Sequence, residues 1–479
     1  MLLITAFLFP MIAGPLAARL PDKTGTGRNL RYAGVMILTD ILCVLAAFFG
    51  RPLNLFHMTE KAVFGFSLDN FGRIYLFMVI ILYSAVCFYA FEYMKMEERQ
   101  EMFFAFYFVS LGALIAICMS ANLVTLYFCF ELATLSSVPL VLHEMTKDAI
   151  AAGLKYLFYS IAGALMGLLA VFFVYYYAGS GEGFVYGGIL DKGMVSGNEK
   201  VLLLVIFIGI IGFGTKAGMY PMHGWLPTAH PIAPAPASAL LSGIIAKAGV
   251  VAIVRLVYYS VGTEILRGTW VQYAWMCLCM LTILMGSTCA FREKVMKKRL
   301  AYSTVSQISY ILLGLSIMTE DGLKGGIIHL MSHAVSKGCL FLVAGIFIYK
   351  LGKRNVNELK GIGKQMPVTL WCYMLASLSL VGIPPMGGFT SKWAIAAASI
   401  GDGMGVMSFL PPVVLLISAL LTAGYLFPIA VDAFFPGHDF DTGSLEKKEP
   451  SLLMTVPLIV LCAAALAAGL FGTRIVNLI

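Results

Sequence analysis

The sequence predicts an all-α polytopic membrane protein with about fourteen transmembrane helices. Three observations carry that expectation. Hydrophobic residues make up 60% of the chain and charged residues only 12%, with a mean hydropathy of +0.88. Soluble domains carry about 25% charged residues. Apolar windows of transmembrane length recur along the whole chain, and the basic residues gather in alternate loops between them.

The spans fall near 1–20, 31–50, 72–94, 102–120, 122–143, 149–178, 200–222, 234–260, 268–291, 298–318, 321–350, 368–400, 409–433 and 453–472. The first, "MLLITAFLFPMIAGPLAARL", lacks the basic stretch of a cleavable signal and reads as a span. The loop after it carries Arg19, Lys23, Arg28 and Arg31. The loop after the ninth carries Arg292, Lys294, Lys297, Lys298 and Arg299, and the loop after the eleventh Lys350, Lys353, Arg354, Lys360 and Lys364. All follow odd-numbered spans, whereas Arg267 alone follows the eighth. The positive-inside rule places the basic set in the cytoplasm and both termini outside.

Two spans are interrupted. "FGTKAGMYPMHGWLPTAHP" (213–231) breaks the seventh near 213–227, and "LSLVGIPPMGGFTSKWAIA" (378–396) breaks the twelfth near 382–392. Prolines and glycines at membrane depth are tolerated where protein or a water-filled cavity satisfies the freed backbone. They are either two ordinary proline kinks or the paired broken helices of an inverted-repeat transporter. The five-span separation and the lysine beside each break, Lys216 and Lys392, favour the second reading.

A charge at the bilayer centre costs at least ~2.5–3.5 kcal/mol, so ionisable groups there are functional candidates. The set is Glu131, Lys216, Lys247, His329, His333, Lys337 and Lys392. Glu131 has no charged residue within eight positions on either side. A buried carboxylate stays protonated or finds a cation, and Lys216 lies at comparable depth. Their pairing either fixes packing or moves protons; buried pairs are poor devices for stability alone. Lys247 sits too deep to snorkel easily and is surrounded by Ser242, Gly243, Ala246, Ala248 and Gly249. His329, His333 and Lys337 recur at i, i+4, i+8, which stacks them on one helix face as a proton wire would require. The H-x-x-x-H spacing lacks the glutamate of a zinc H-E-x-x-H site. His223 and His230 flank the first break and either extend a relay or bond freed carbonyls. Desolvation and neighbouring charge shift a lysine's proton affinity in opposite directions, so a modest change in pair geometry can drive a proton onward.

Other chemistries are disfavoured. The ten cysteines form no C-x-x-C pair and read as small buried hydrophobes, not Fe–S or zinc ligands. The formal charge of +8 resides in short loops, which orient a membrane protein and meet lipid headgroups; nucleic-acid binding is not implied. No P-loop, Rossmann fingerprint or recognisable nucleophile motif is present.

On "KAGMYPMHGWLPTAHPIAPAPASALLSGIIAKAGV" (216–250), "KKRLAYSTVSQISYILLGL" (297–315), "HLMSHAVSKGCLFL" (329–342) and "GIPPMGGFTSKW" (382–393), the chain resembles the antiporter-like membrane subunits of respiratory complex I, multisubunit Na+/H+ antiporters of Mrp type and membrane-bound hydrogenases. The motif texture leans to the hydrogenase and Mrp branches. The resemblance implies two inverted five-helix repeats, residues 101–260 (helices 4–8) and 265–435 (helices 9–13). Three N-terminal helices (1–100) would precede them and a fourteenth helix (450–479) follow. It implies that Glu131 pairs with Lys216, that Lys247 is the channel centre, that His333 and Lys337 form the eleventh-helix axis, and that Lys392 is the twelfth-helix ionisable residue. Gln307 stands where some complex I members have histidine, and Lys392 where one paralogue has glutamate.

The expected function is proton translocation within a redox-driven multisubunit pump in the cell (inner) membrane. No cofactor is expected in this chain; Fe–S clusters and a NiFe or flavin centre would lie in partner subunits, among them paralogous membrane subunits and a peripheral redox arm. The alternative is a subunit of a Na+/H+ antiporter driven by ion gradients. A stand-alone small-solute transporter and an intramembrane enzyme are the weaker readings.

Overall fold

The computed structural model describes residues 1–20, 25–59, 61–179, 183–437 and 446–478. Lys23, one of the expected orienting residues, lies outside the described residues. The chain opens with α1 (Leu2–Arg19) and α2 (Thr26–Phe49), followed by a hairpin of β1 (Leu53–Thr59) and β2 (Ala62–Phe66) that the helical expectation did not include. Its aromatics explain it: Phe56 stacks on Phe64 across the strands at 5.2 Å, and Phe66 bridges to Ser120. Asn122 donates to the Val63 carbonyl at 2.6 Å, and Gly65 N–H donates to Thr125 Oγ1 at 3.0 Å.

Next come α3 (Asn70–Tyr93), α4 (Gln100–Cys118), α5 (Leu123–Val141) and α6 (Lys147–Tyr177). Side-chain caps start three of these: Asp69 accepts from Gly72 N–H, Asn122 from Thr125 N–H and Thr146 from Ala149 N–H. A short α7 (Lys192–Val195) precedes α8 (Glu199–Ala217), and α9 (Leu226–Ile232) follows the first break. The segment Ala235–Val261 is helical throughout but changes type: α10 (Ala235–Leu240), a π-helical turn at Leu241–Ile245, α11 (Lys247–Leu256) and a second π turn at Val257–Val261. Every residue of it is buried. The chain continues through α12 (Thr263–Leu266), α13 (Trp270–Arg292), α14 (Met296–Ser316), α15 (Glu320–Leu351), α16 (Pro367–Val381), α17 (Gly387–Gly401), α18 (Val406–Phe434) and α19 (Leu452–Val476).

Among the described residues, twelve helices are long and apolar enough to cross a membrane. Two other expected spans take different forms. α14 is 21 residues long but opens on Lys297, Lys298 and Arg299, and the twelfth span is divided into α16 and α17. α15 packs on α3, α14, α16, α17 and α19. Large apolar side chains such as Leu165, Phe172, Leu416 and Leu420 project outward, as lipid or neighbouring subunits require.

Both expected breaks are present. α8 ends on Gly218 at φ +79° and α16 on Gly382 at φ +92°, left-handed caps that glycine adopts without strain. The Tyr220–Pro221 and Pro384–Pro385 peptides are cis. Gly388 lets α17 begin directly against the end of α16, since a Cβ there would meet the Ser379 carbonyl at 1.7 Å.

Candidate functional site

The site is a file of buried cationic and imidazole side chains running from α8 through α11 and α15 to α17. Lys216 stands one residue before the end of α8 and is 1% exposed. Its Nζ donates to Thr134 Oγ1 at 2.5 Å and lies 5.0 Å above the Phe130 ring and 5.7 Å above the Tyr156 ring. Cation–π contacts of this kind contribute about 0.5–2 kcal/mol, most where water is excluded. Trp225, across the break, donates from Nε1 to the Thr215 carbonyl at 2.9 Å and packs on Tyr156 at 4.5 Å. The unwound segment therefore adds a second donor to a last-turn carbonyl that also accepts from the Gly218 N–H at 3.1 Å.

The expected contact between Lys216 and Glu131 is not made in this conformation. No ion pair joins them among the described residues, and Glu131 Oε1 is buried without a hydrogen-bond partner. The reason is angular: Phe130 and Thr134 share the face of α5 that meets Lys216. Glu131 turns instead toward an apolar groove of about 550 Å³ that Phe7, Phe64, Phe128 and Leu135 help to line.

Lys247 begins α11, directly after the first π turn, and donates to the Ser242 carbonyl. A π turn inserts one residue and offsets the carbonyl ladder, a feature common at functional sites. Gly249 brings α11 against α8 at the level of Lys216: a Cβ there would meet the Phe213 carbonyl at 2.4 Å and Lys216 Cβ at 3.2 Å. Ser242 Oγ in turn bonds Thr304 Oγ1 at 2.7 Å, tying this turn to α14.

On α15 the three groups lie in line. Lys337 donates to the Leu300 carbonyl at 3.1 Å; His333 has neither ring nitrogen bonded and stacks on His329 at 6.0 Å; His329 Nδ1 meets Ser391 Oγ at 2.8 Å. Tyr310 stacks on His329 at 5.2 Å, and Lys392 Nζ lies 5.0 Å above the same Tyr310 ring. Lys392 is partly buried and donates to the Leu380 and Val381 carbonyls, at 2.7 and 2.8 Å, across the second break. The candidate relay histidines differ. His223 sits half-buried in the first break, stacked on Tyr220 at 5.8 Å, whereas His230 is fully buried against Phe341 of α15 at 4.7 Å with both ring nitrogens unbonded.

Two further charged groups escaped the sequence reading. Asp40 lies inside α2 and accepts from Ser84 Oγ at 2.6 Å. Arg255, buried near the end of α11, makes a bidentate pair with Asp69 at 2.6 Å per bond, inside a cage of Phe71, Phe184 and Tyr259. Asp69 precedes α3. Burial opposes its charged form, but the Arg255 hydrogen bonds and charge outweigh this and hold its carboxyl below the usual aspartate range. Asp40 carried the same signal as Glu131, a lone carboxylate in an apolar run. Among the described residues, no three His, Cys, Asp or Glu side chains converge as metal ligands.

This pattern of helices, paired breaks and lysine-bearing helix ends defines an antiporter-like membrane subunit. The chain belongs to the NADH:quinone oxidoreductase/Mrp antiporter transmembrane family, whose sequence profile matches residues 120–422. It is 32% identical over 394 residues to NADH-quinone oxidoreductase subunit N of Desulforudis audaxviator, covering 80% of this chain and 77% of that protein. It is 31% identical over 462 residues to Hydrogenase-4 component B of Escherichia coli, covering 91% of this chain and 66% of that protein. The fold matches a chain of the Mrp complex from a Dietzia species with a TM-score of 0.80, at 21% identity, covering 100% of this chain and 96% of that one.

Proposed function

We propose that this chain carries protons across the cell membrane as one subunit of a redox-driven multisubunit pump, with Lys216, Lys247, the His329–His333–Lys337 file and Lys392 as successive carriers and Glu131 as a modulator of the first. The observation that carries the reading is the set of partners. Lys216, Lys247 and Lys337 are fully buried, yet none is ion-paired among the described residues; they are held by hydroxyl and carbonyl oxygens. Fixed buried charge held this way is costly, whereas a group that takes up and releases a proton is charged only in passing. Burial along the file suits two inverted repeats, residues 101–260 and 265–435, meeting at α11 and α15.

The similarity to proteins named as a quinone oxidoreductase subunit and a hydrogenase component supports a redox-driven assembly, with Fe–S and NiFe or flavin chemistry in partner subunits. The basic odd-numbered loops support a cytoplasmic placement for them and termini outside. A Na+/H+ antiporter complex is the second reading, favoured by the family's span over Mrp antiporters.

The test begins with the tagged chain purified in mild detergent with its partners. Redox-metal subunits favour the pump, and small membrane subunits alone favour the antiporter. Dye-monitored proton uptake is then measured in inverted vesicles. Lys216→Ala, Glu131→Ala and Lys392→Ala each abolish uptake while the complex stays assembled; normal uptake in the Lys216 or Glu131 variant removes that residue from the relay.

A further inference from the structure

Asp40 belongs to no part of the proton file, and its surroundings are unlike those of the file. It lies near the middle of α2, more than about 13 Å from either helix end at 1.5 Å per residue. Ser84 of α3 donates to one carboxylate oxygen at 2.6 Å, and the other, Oδ1, is buried with no partner. The pair forms the polar spot in a groove of about 660 Å³ between α2, α3 and α19, with Ile81, Phe88, Val456 and Val460 among its walls. Ile81, Val456 and Val460 in its walls are each 41–48% exposed.

The groove runs from Ile80 to Phe88 along α3 and from Leu452 to Val460 along α19, about 12 Å or two helical turns. Lipid chains fill an apolar groove of this kind but offer no donor to a carboxylate, and an unpaired buried polar oxygen costs several kcal/mol in hydrocarbon. Protein at this depth that must satisfy its own backbone is helical. Acidic groups in the membrane pair with basic ones or with backbone.

We propose that the groove between α2, α3 and α19 receives a transmembrane helix of a partner subunit that places a basic side chain on Asp40. The inference rests on the reading of the chain as a subunit of a larger assembly. It adds a lateral docking site held by one charge pair at mid-membrane. The Ser84 hydroxyl keeps the carboxylate oriented until the partner arrives.

The test uses the full complex in native membranes, with a photo-cross-linking amino acid at Ile81 or Val456. The expected result is an adduct to a single partner subunit, mapped to a transmembrane helix with Lys, Arg or His within one turn of the contact. Asp40→Leu and the near-isosteric Asp40→Asn lower the adduct yield about tenfold or more, as loss of one member of a buried charge pair does. Asp40→Lys combined with an acidic replacement of the partner's basic residue restores it. If partners co-purify but the groove yields lipid adducts only, a second copy of this chain, or a helix without a basic residue within a turn, the docking site is refuted while the assembly stands. A chain that purifies with no partner refutes the assembly and the docking site with it.

Discussion

Gly249 is the point where the geometry of the file can be changed by one methyl group. A Cβ at this position would lie 2.4 Å from the Phe213 carbonyl, 2.8 Å from the Ala217 nitrogen and 3.2 Å from Lys216 Cβ. The first two are backbone atoms of α8, so no side chain can rotate away. Ordinary contact begins near 3.5 Å, so Gly249→Ala forces α8 and α11 apart by about 1 Å. Overpacking of this size costs about 1–3 kcal/mol, which a well-packed bundle survives. Transfer between positioned groups is more sensitive: a displacement of about 1 Å lowers the rate on the order of 100-fold. Gly249→Ala is therefore expected to leave an assembled complex, seen on a native gel, whose proton uptake in inverted vesicles is nearly lost. Gly34→Ala is the control, because nothing lies within 4 Å of a Cβ at that position. Uptake near the wild-type rate in Gly249→Ala vesicles would show that close approach of these two helices does not set the transfer distance.

Lys216→Arg should abolish uptake as completely as removal of the side chain, because a guanidinium does not release its proton; an active arginine variant would make residue 216 a fixed charge. The Asp69–Arg255 pair gives a pH dependence with a definite sign. Its carboxyl is held low in the folded chain, so its stabilisation is complete above the ordinary aspartate range near ~3.9 and is lost as pH falls through the lower folded value. The gap in thermal midpoint between wild type and Asp69→Asn should be flat from about pH 8 to pH 5 and narrow below about pH 4; a gap that widens on acidification contradicts the assignment. Trp225→Phe keeps an aromatic ring against Tyr156 but removes the indole donor to the Thr215 carbonyl, which keeps only the Gly218 N–H bond; the loss of about 0.5–1.5 kcal/mol lowers the thermal midpoint, and an unchanged midpoint would show that the Gly218 bond alone satisfies the carbonyl.

The long helices were legible because lipid allows only one backbone solution and hydropathy reports it directly. The two breaks were legible because Pro and Gly act on their own backbone, as at Gly218 and Gly382. Lys216, Lys247, His329, His333, Lys337 and Lys392 stood out as charges in apolar runs, although the sequence does not say which oxygen each one meets. Thr134 takes the contact expected of Glu131 because Lys216 meets α5 along the row of Phe130 and Thr134, one turn apart, while Glu131 borders the apolar groove beside that row. The π turn that sets Lys247 against Ser242 is silent in hydropathy, since an inserted residue changes helix register without changing polarity. The β1–β2 hairpin was missed because its apolar residues pair across strands instead of along a helix. Arg255 has no local partner pattern in the sequence, because Asp69, which it pairs with, is distant along the chain.

The hold on Lys392 has a chemical consequence of its own. Its ammonium is met by two amide oxygens at the end of a helix, where the partial negative charge of the peptide dipoles collects. A carboxylate in that place would bind the cation more strongly and raise the lysine's proton affinity, locking the proton on the nitrogen. Amide oxygens carry only partial charge and hold it less tightly. The terminus of α16 thus steadies the charge while leaving the proton for a neighbouring acceptor to collect.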